Sequence, residues 1–98
     1  MILTGKALDH YKIWFDKYYN DYWTYYQSKP TILNALIIEW FDSVGIYITS
    51  DYFELNKGFY SEILNENFAI VKPTRQEALT EAIKKANEIY NEKNSISQ

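Results

Sequence analysis

What the chain lacks narrows it first. It has no cysteine, which excludes a disulfide framework and any thiolate metal site. Its only glycines are Gly5, Gly45 and Gly58, so no glycine-rich loop can cradle a phosphate. His10 is the single histidine, and no residue stands at the spacing of a known metal or nucleophile–base motif from it. Its simplest reading is a surface imidazole at a helix edge. No apolar run approaches the ~18–20 residues that a membrane span requires. The start, MILTGKALDHYK, turns polar after three residues, without the apolar stretch of a signal peptide. A cytosolic protein without membrane association is expected.

Strong charge of either sign is also missing, since the formal net charge is −3. Nucleic-acid binders carry a basic patch, because neutralising phosphates drives their affinity. Here the densest basic group, Lys72, Lys84, Lys85 and Lys93, is interleaved with glutamates. A DNA mimic would need long rows of carboxylates, which are equally absent. Direct binding to nucleic acid is therefore not expected.

What remains is a chain of 98 residues, 47% hydrophobic and 23% charged, the size and composition of one globular domain. Between residues 4 and 27 the apolar positions recur with helical period. Leu8, Tyr11, Trp14, Phe15, Tyr18, Tyr19, Tyr22, Tyr25 and Tyr26 fall on one half of the wheel, and Asp9, Asp16, Lys17, Asn20 and Gln27 on the other. Thr4 suits the N-cap, and Pro30 ends the helix because the residue before a proline disfavours helical φ/ψ. Pro30 also suits the first position of a second helix, with Ile32, Leu33, Leu36, Ile37, Trp40, Phe41 and Val44 as its stripe and Gly45 closing it.

From Ile46 the period changes. IYITSDYFEL, FYSEIL and FAIVK are rich in β-branched and aromatic residues, and the separators NKG and NEN tolerate positive φ, so three strands joined by hairpins are predicted. Thr74-Arg75-Gln76-Glu77 is a capping-box pattern, and Ala78, Leu79, Ala82, Ile83, Ala86, Ile89 and Tyr90 line one face of a last helix to about residue 91. The expected architecture is α+β in the order α-α-β-β-β-α, a three-stranded antiparallel meander packed with helices. It forms one domain over 1–91, followed by a flexible polar tail over 92–98.

Chemistry has few candidates. Glu77, Glu81, Glu88 and Glu92 gather on the side of the last helix opposite its alanines. Paired carboxylates can bind a divalent cation or serve acid–base catalysis. Lys84 and Lys85 flank the ridge, however, and Glu81 with Lys85 has the favourable i,i+4 order, so a solvated face is the better reading. As a secondary acidic surface these glutamates could face a basic partner. No catalytic residue, metal site or cofactor is predicted, and the chain is not expected to be an enzyme.

The aromatic stretch DKYYNDYWTYYQ, residues 16–27, stands apart. Its apolar arc spans about 180°, wider than the ~100° that a core-facing helix needs. Tyr11, Phe15, Tyr18 and Tyr22 take the middle of the arc and are expected in the core. Tyr19, Trp23 and Tyr26 form an i, i+4, i+7 line on its edge, continued by Lys12 and Asp16, and are the expected partner-binding residues. Tyrosine and tryptophan favour half-wet borders such as interfaces, since a buried polar tip must find a hydrogen bond. Two alternatives stand beside this. The strand aromatics Tyr47, Tyr52, Phe53 and Tyr60 could stack single-stranded bases in a small RNA-binding regulator. The aromatic edge could instead be the interface of a homodimer.

Nine lysines against one arginine, with abundant isoleucine, asparagine and tyrosine, reflect A/T-rich codons and point to an AT-rich bacterium or its phage. LTGKALDHYKIWF at 3–15, EWFDSVGIYI at 39–48 and TRQEALTEAIKKANEIYN at 74–91 resemble a group of short phage and prophage proteins of such bacteria. What the resemblance implies is context. Small acidic phage proteins without an active site often bind a bacterial protein, anti-CRISPR and other anti-defence inhibitors among them. The expected partner is thus a bacterial host or defence protein, an RNA-guided nuclease included.

Overall fold

The computed structural model describes residues 2–19 and 22–95. Its elements are α1 (Gly5–Tyr19), α2 (Trp23–Gln27), α3 (Pro30–Ser43), β1 (Ile48–Phe53), β2 (Gly58–Ile63), β3 (Phe68–Lys72) and α4 (Arg75–Ser95). The class is α+β, as expected, and the strands form an antiparallel sheet in the order β1-β2-β3.

The long first helix is not one helix. It ends at Tyr19 and a short second helix begins at Trp23, while Asn20 and Asp21, which the sequence reading placed in mid-helix, lie outside the described residues. The break has a geometric signature. Phe15 lies 5.2 Å from Trp23 and 5.9 Å from Tyr26, ring centre to ring centre. Along a straight helix rising ~1.5 Å per residue, Phe15 and Tyr26 would be about 16 Å apart. The chain turns, and α2 folds its rings back onto α1.

On α1, Ala7, Tyr11 and Phe15 at i, i+4 and i+8 are fully buried. Tyr18 and Tyr22, expected in the same core, are instead 61% and 62% exposed. The turn after Tyr19 explains this, because the seam continues into Trp23 and Tyr26 rather than along the helix axis.

The start of α1 is capped from another helix. Asn87 Oδ1 on α4 accepts the Thr4 N–H at 3.0 Å, and Asn91 Oδ1 accepts the Ala7 N–H at 2.8 Å. Asn91 Nδ2 donates to the Thr4 carbonyl and Asn87 Nδ2 to the Thr4 hydroxyl. Thr4 was expected to cap its own helix. Its hydroxyl is turned to Asn87, and the otherwise orphaned Ala7 N–H of the first turn is satisfied by Asn91.

Helix α3 begins with Pro30 and closes as the glycine forecast. Gly45 takes φ +85°, the Gly45 N–H bonds the Asp42 carbonyl, and the Ile46 N–H bonds the Phe41 carbonyl. That is the Schellman pattern, with the accompanying apolar pair in Phe41 and Ile46, both buried. At the first hairpin Lys57, rather than Asn56 or Gly58, adopts positive φ. Gly58 is needed for another reason: a Cβ there would lie 2.9 Å from the Lys72 carbonyl oxygen on β3.

Helix α4 is the hub. It packs on all three strands and on α1 and α3. Ala78, Ala82 and Ala86 are fully buried, the small residues that let helix and sheet approach closely. Thr74 caps it by accepting the Glu77 N–H at 3.1 Å. The helix runs to Ser95, so residues 92–95 of the expected tail are helical; 96–98 lie outside the described residues. His10 is also not a free surface imidazole. It is half-buried, and its Nδ1 is hydrogen-bonded to the Tyr90 hydroxyl of α4.

Candidate interaction surface

The rings of α1 and α2 form a connected cluster in three depths. At the centre are Tyr11 and Phe15, fully buried. Around them lie Trp14, Tyr19, Trp23 and Tyr26, half-buried and packed against the core. Trp14 and Tyr19 stack on Tyr11 and Phe15 at 28°, while Trp23 meets Phe15 edge-on at 89°. Outermost are Tyr18, Tyr22 and Tyr25, each more than half exposed. Tyr18 touches Trp14, and Tyr22 and Tyr25 both touch Tyr26.

The expected edge residues are thus brought together. Tyr19 and Tyr26 are 5.8 Å apart, and Trp23 shares Phe15 with both of them. All three keep some open surface, but they are the support of the exposed tyrosines rather than the outermost layer. Lys12 and Asp16 are exposed beside them, with Lys12 Nζ 5.9 Å from the centre of the Trp23 ring. Lys17 sits over Tyr18 at 5.4 Å and Lys29 over Tyr25 at 5.6 Å. Lysine stems lie along apolar rings in this way while the ammonium stays in water.

Between α1 and α3 lies a depression of about 320 Å³, lined by Trp14, Tyr18, Tyr19, Glu39 and Ser43. Glu39 Oε2 accepts the Tyr19 hydroxyl at 2.9 Å. That bond raises the Tyr19 phenol above its ordinary range, helped by burial and by the carboxylate's charge. Asp42, one turn further along α3, is raised from the ordinary carboxylate range by partial burial and then by the charge of Glu39. Neither Glu39 nor Asp42 forms an ion pair among the described residues; the two ion pairs there are both on α4.

Glu39 was not singled out from the sequence. The available signal was a lone carboxylate inside the apolar run ALIIEWF. Its partner Tyr19 is 20 residues away, a distance that no periodicity spans.

The remaining candidates are dispersed. On α4, Glu77, Glu88 and Glu92 are exposed and Glu81 is half-buried. The expected Glu81–Lys85 pair is replaced by Glu81–Lys84 at 3.7 Å and Glu88–Lys85 at 3.6 Å, both i,i+3. Among the described residues, no group of three or more histidines and carboxylates is placed to hold a metal ion. The strand aromatics do not share a platform. Cross-strand register puts Phe53 and Tyr60 on one face of the sheet and Tyr52 with Phe59 on the other. No helix of the described residues is long and apolar enough to cross a membrane. No protein-family model, curated protein or solved structure matches this chain.

Proposed function

We propose that the chain is a non-enzymatic binding protein that docks on another protein through the aromatic surface of α1 and α2. The observation that carries this is the exposure of Tyr18, Tyr22 and Tyr25 on a packed bed of other rings. Tyrosine held in place by packing loses little entropy on binding, and truncating such a residue at the centre of an interface costs ~2 kcal/mol or more. Tyr19, Trp23, Tyr26, Lys12 and Asp16 contribute to the same face. The resemblance to phage proteins makes a bacterial host protein the partner to seek first, with defence nucleases as the leading target class and inhibition as the leading effect.

The experiment is affinity capture from a bacterial lysate, followed by reconstitution with the purified candidate. Replacing Tyr22 and Tyr25 together by alanine should weaken the reconstituted complex at least about tenfold, ~1.4 kcal/mol, with the melting curve nearly unchanged. A complex held equally well by the double variant would remove this surface from the reading. Self-association lost in the same variant would turn the reading to a homodimer. Salt-sensitive binding to single-stranded polynucleotide, lost on replacing Lys12, Lys17 and Lys29, would turn it to nucleic acid.

A further inference from the structure

The depression between α1 and α3 joins two chemistries. Trp14 and Tyr19 each stack on a core ring, Tyr11 and Phe15 respectively, and both are only half-buried. Trp14 makes tilted contacts with Tyr18 and Tyr19, at 48° and 55°, so these rings do not close over one another. Beside them Glu39 uses one carboxylate oxygen for the Tyr19 hydroxyl. The depression, about 320 Å³, has room for a guanidinium or ammonium and its last methylenes.

We infer that this depression receives a basic side chain, lysine or arginine, presented by the protein partner; the inference rests on the docking reading above. Ring faces carry the negative side of the aromatic quadrupole and attract a cation, and Glu39 supplies a full negative charge at the same place. Among the described residues no lysine or arginine lines the depression. Glu39 and Asp42 repel each other across one helical turn, and neither has an ion pair among the described residues. Lys17, the nearest cation along α1, rests over Tyr18 but does not line the depression. An acidic side chain would be repelled by Glu39. An apolar one would strip water from a carboxylate and offer nothing in return.

The test uses the full chain and three small probes: the N-acetyl, N′-methylamide derivatives of lysine, arginine and norleucine. Each is titrated while the NMR signals of the Trp14 indole and the Tyr18 and Tyr19 rings are followed. At least one cationic probe should shift these signals saturably and norleucine should not. Glu39→Gln keeps an acceptor for the Tyr19 hydroxyl, and it should weaken binding about tenfold, as should Tyr18→Ala at its exposed position. The lysine and arginine arms decide which cation is preferred. Equal shifts from norleucine, no saturable shift from either cation, or an unchanged affinity in Glu39→Gln would each overturn the inference. Failure of the docking reading looks different: the cationic probes bind, yet the Tyr22/Tyr25 double variant holds the purified partner as well as the native chain does.

Discussion

Tyr11 and Tyr18 are the same residue on the same helix, two turns apart and on nearly the same side, yet one is fully buried and the other 61% exposed. Tyr11 is surrounded by the rings of Trp14, Phe15, Trp23 and Trp40, drawn from three helices. Tyr18 has Trp14 on its own helix and the Lys17 ammonium. The difference teaches that a helical stripe gives the direction a side chain takes, while cover depends on which other elements reach that far along the axis. Here α3, α4 and the returning α2 cover the first three turns of α1 and, in its last one, reach Tyr19 but not Tyr18.

The sharpest break in that comparison is expected from truncation. Phe15→Ala removes a fully buried ring and should cost about 3–5 kcal/mol, whereas Tyr18→Ala should stay within about 0.5 kcal/mol, both read from urea unfolding. Comparable losses in the two variants would mean that Tyr18 is covered in solution.

Alkaline unfolding probes Tyr11 without truncating it. Burial pushes the Tyr11 phenol up to about 12, partly offset by its hydrogen bond to Gln27. A folded value above the unfolded one means that the contribution is complete below pH ~10 and is lost as pH rises through ~12. The difference between that value and the ordinary one near 10 corresponds to about 2–3 kcal/mol. Tyr11→Phe should flatten this loss, as measured by unfolding between pH 9 and 12.

The buried end of α1 also depends on Asn91. Asn91→Ala should cost about 1–2 kcal/mol, because the Ala7 N–H loses its partner and the Thr4 carbonyl keeps only the Leu8 N–H. If the melting temperature of this variant matches the native one, the cross-helix cap contributes nothing. The smallest effect belongs to the border of the open surface. The raised Asp42 carboxyl holds its proton more tightly in the folded state, so its contribution is present in acid and lost as pH climbs through the folded value. Asp42→Asn should therefore raise the melting temperature slightly at pH 7 and not at pH 3, with the gain shrinking in high salt.

The elements announced by local chemistry were legible. Pro30, Gly45, Thr74 and the buried alanines of α4 do what their side chains or backbone freedom suggest, because helix ends and close packing are decided within a few residues. The strand alternation and the separators NKG and NEN likewise lead to the meander. The end of α1 at Tyr19 is missing from the sequence reading, because the aromatic period continues on the wheel from Tyr18 to Tyr26. From that one omission followed the misplacement of Tyr18 and Tyr22. His10–Tyr90, Thr4–Asn87 and Tyr19–Glu39 were equally out of reach, since each joins residues at least 20 positions apart.

By itself the sequence determined the class, the strand order by hairpin connection and most helix ends, all properties of short-range sterics and hydrogen bonding. It also loaded one short segment with more aromatic surface than a domain of this size buries. Only the tertiary structure decided which rings become core, which become their support and which stay open, because that division depends on where α2 turns back and how far α3 and α4 extend. It also set Glu39 against Tyr19, and so placed a carboxylate beside half-buried rings.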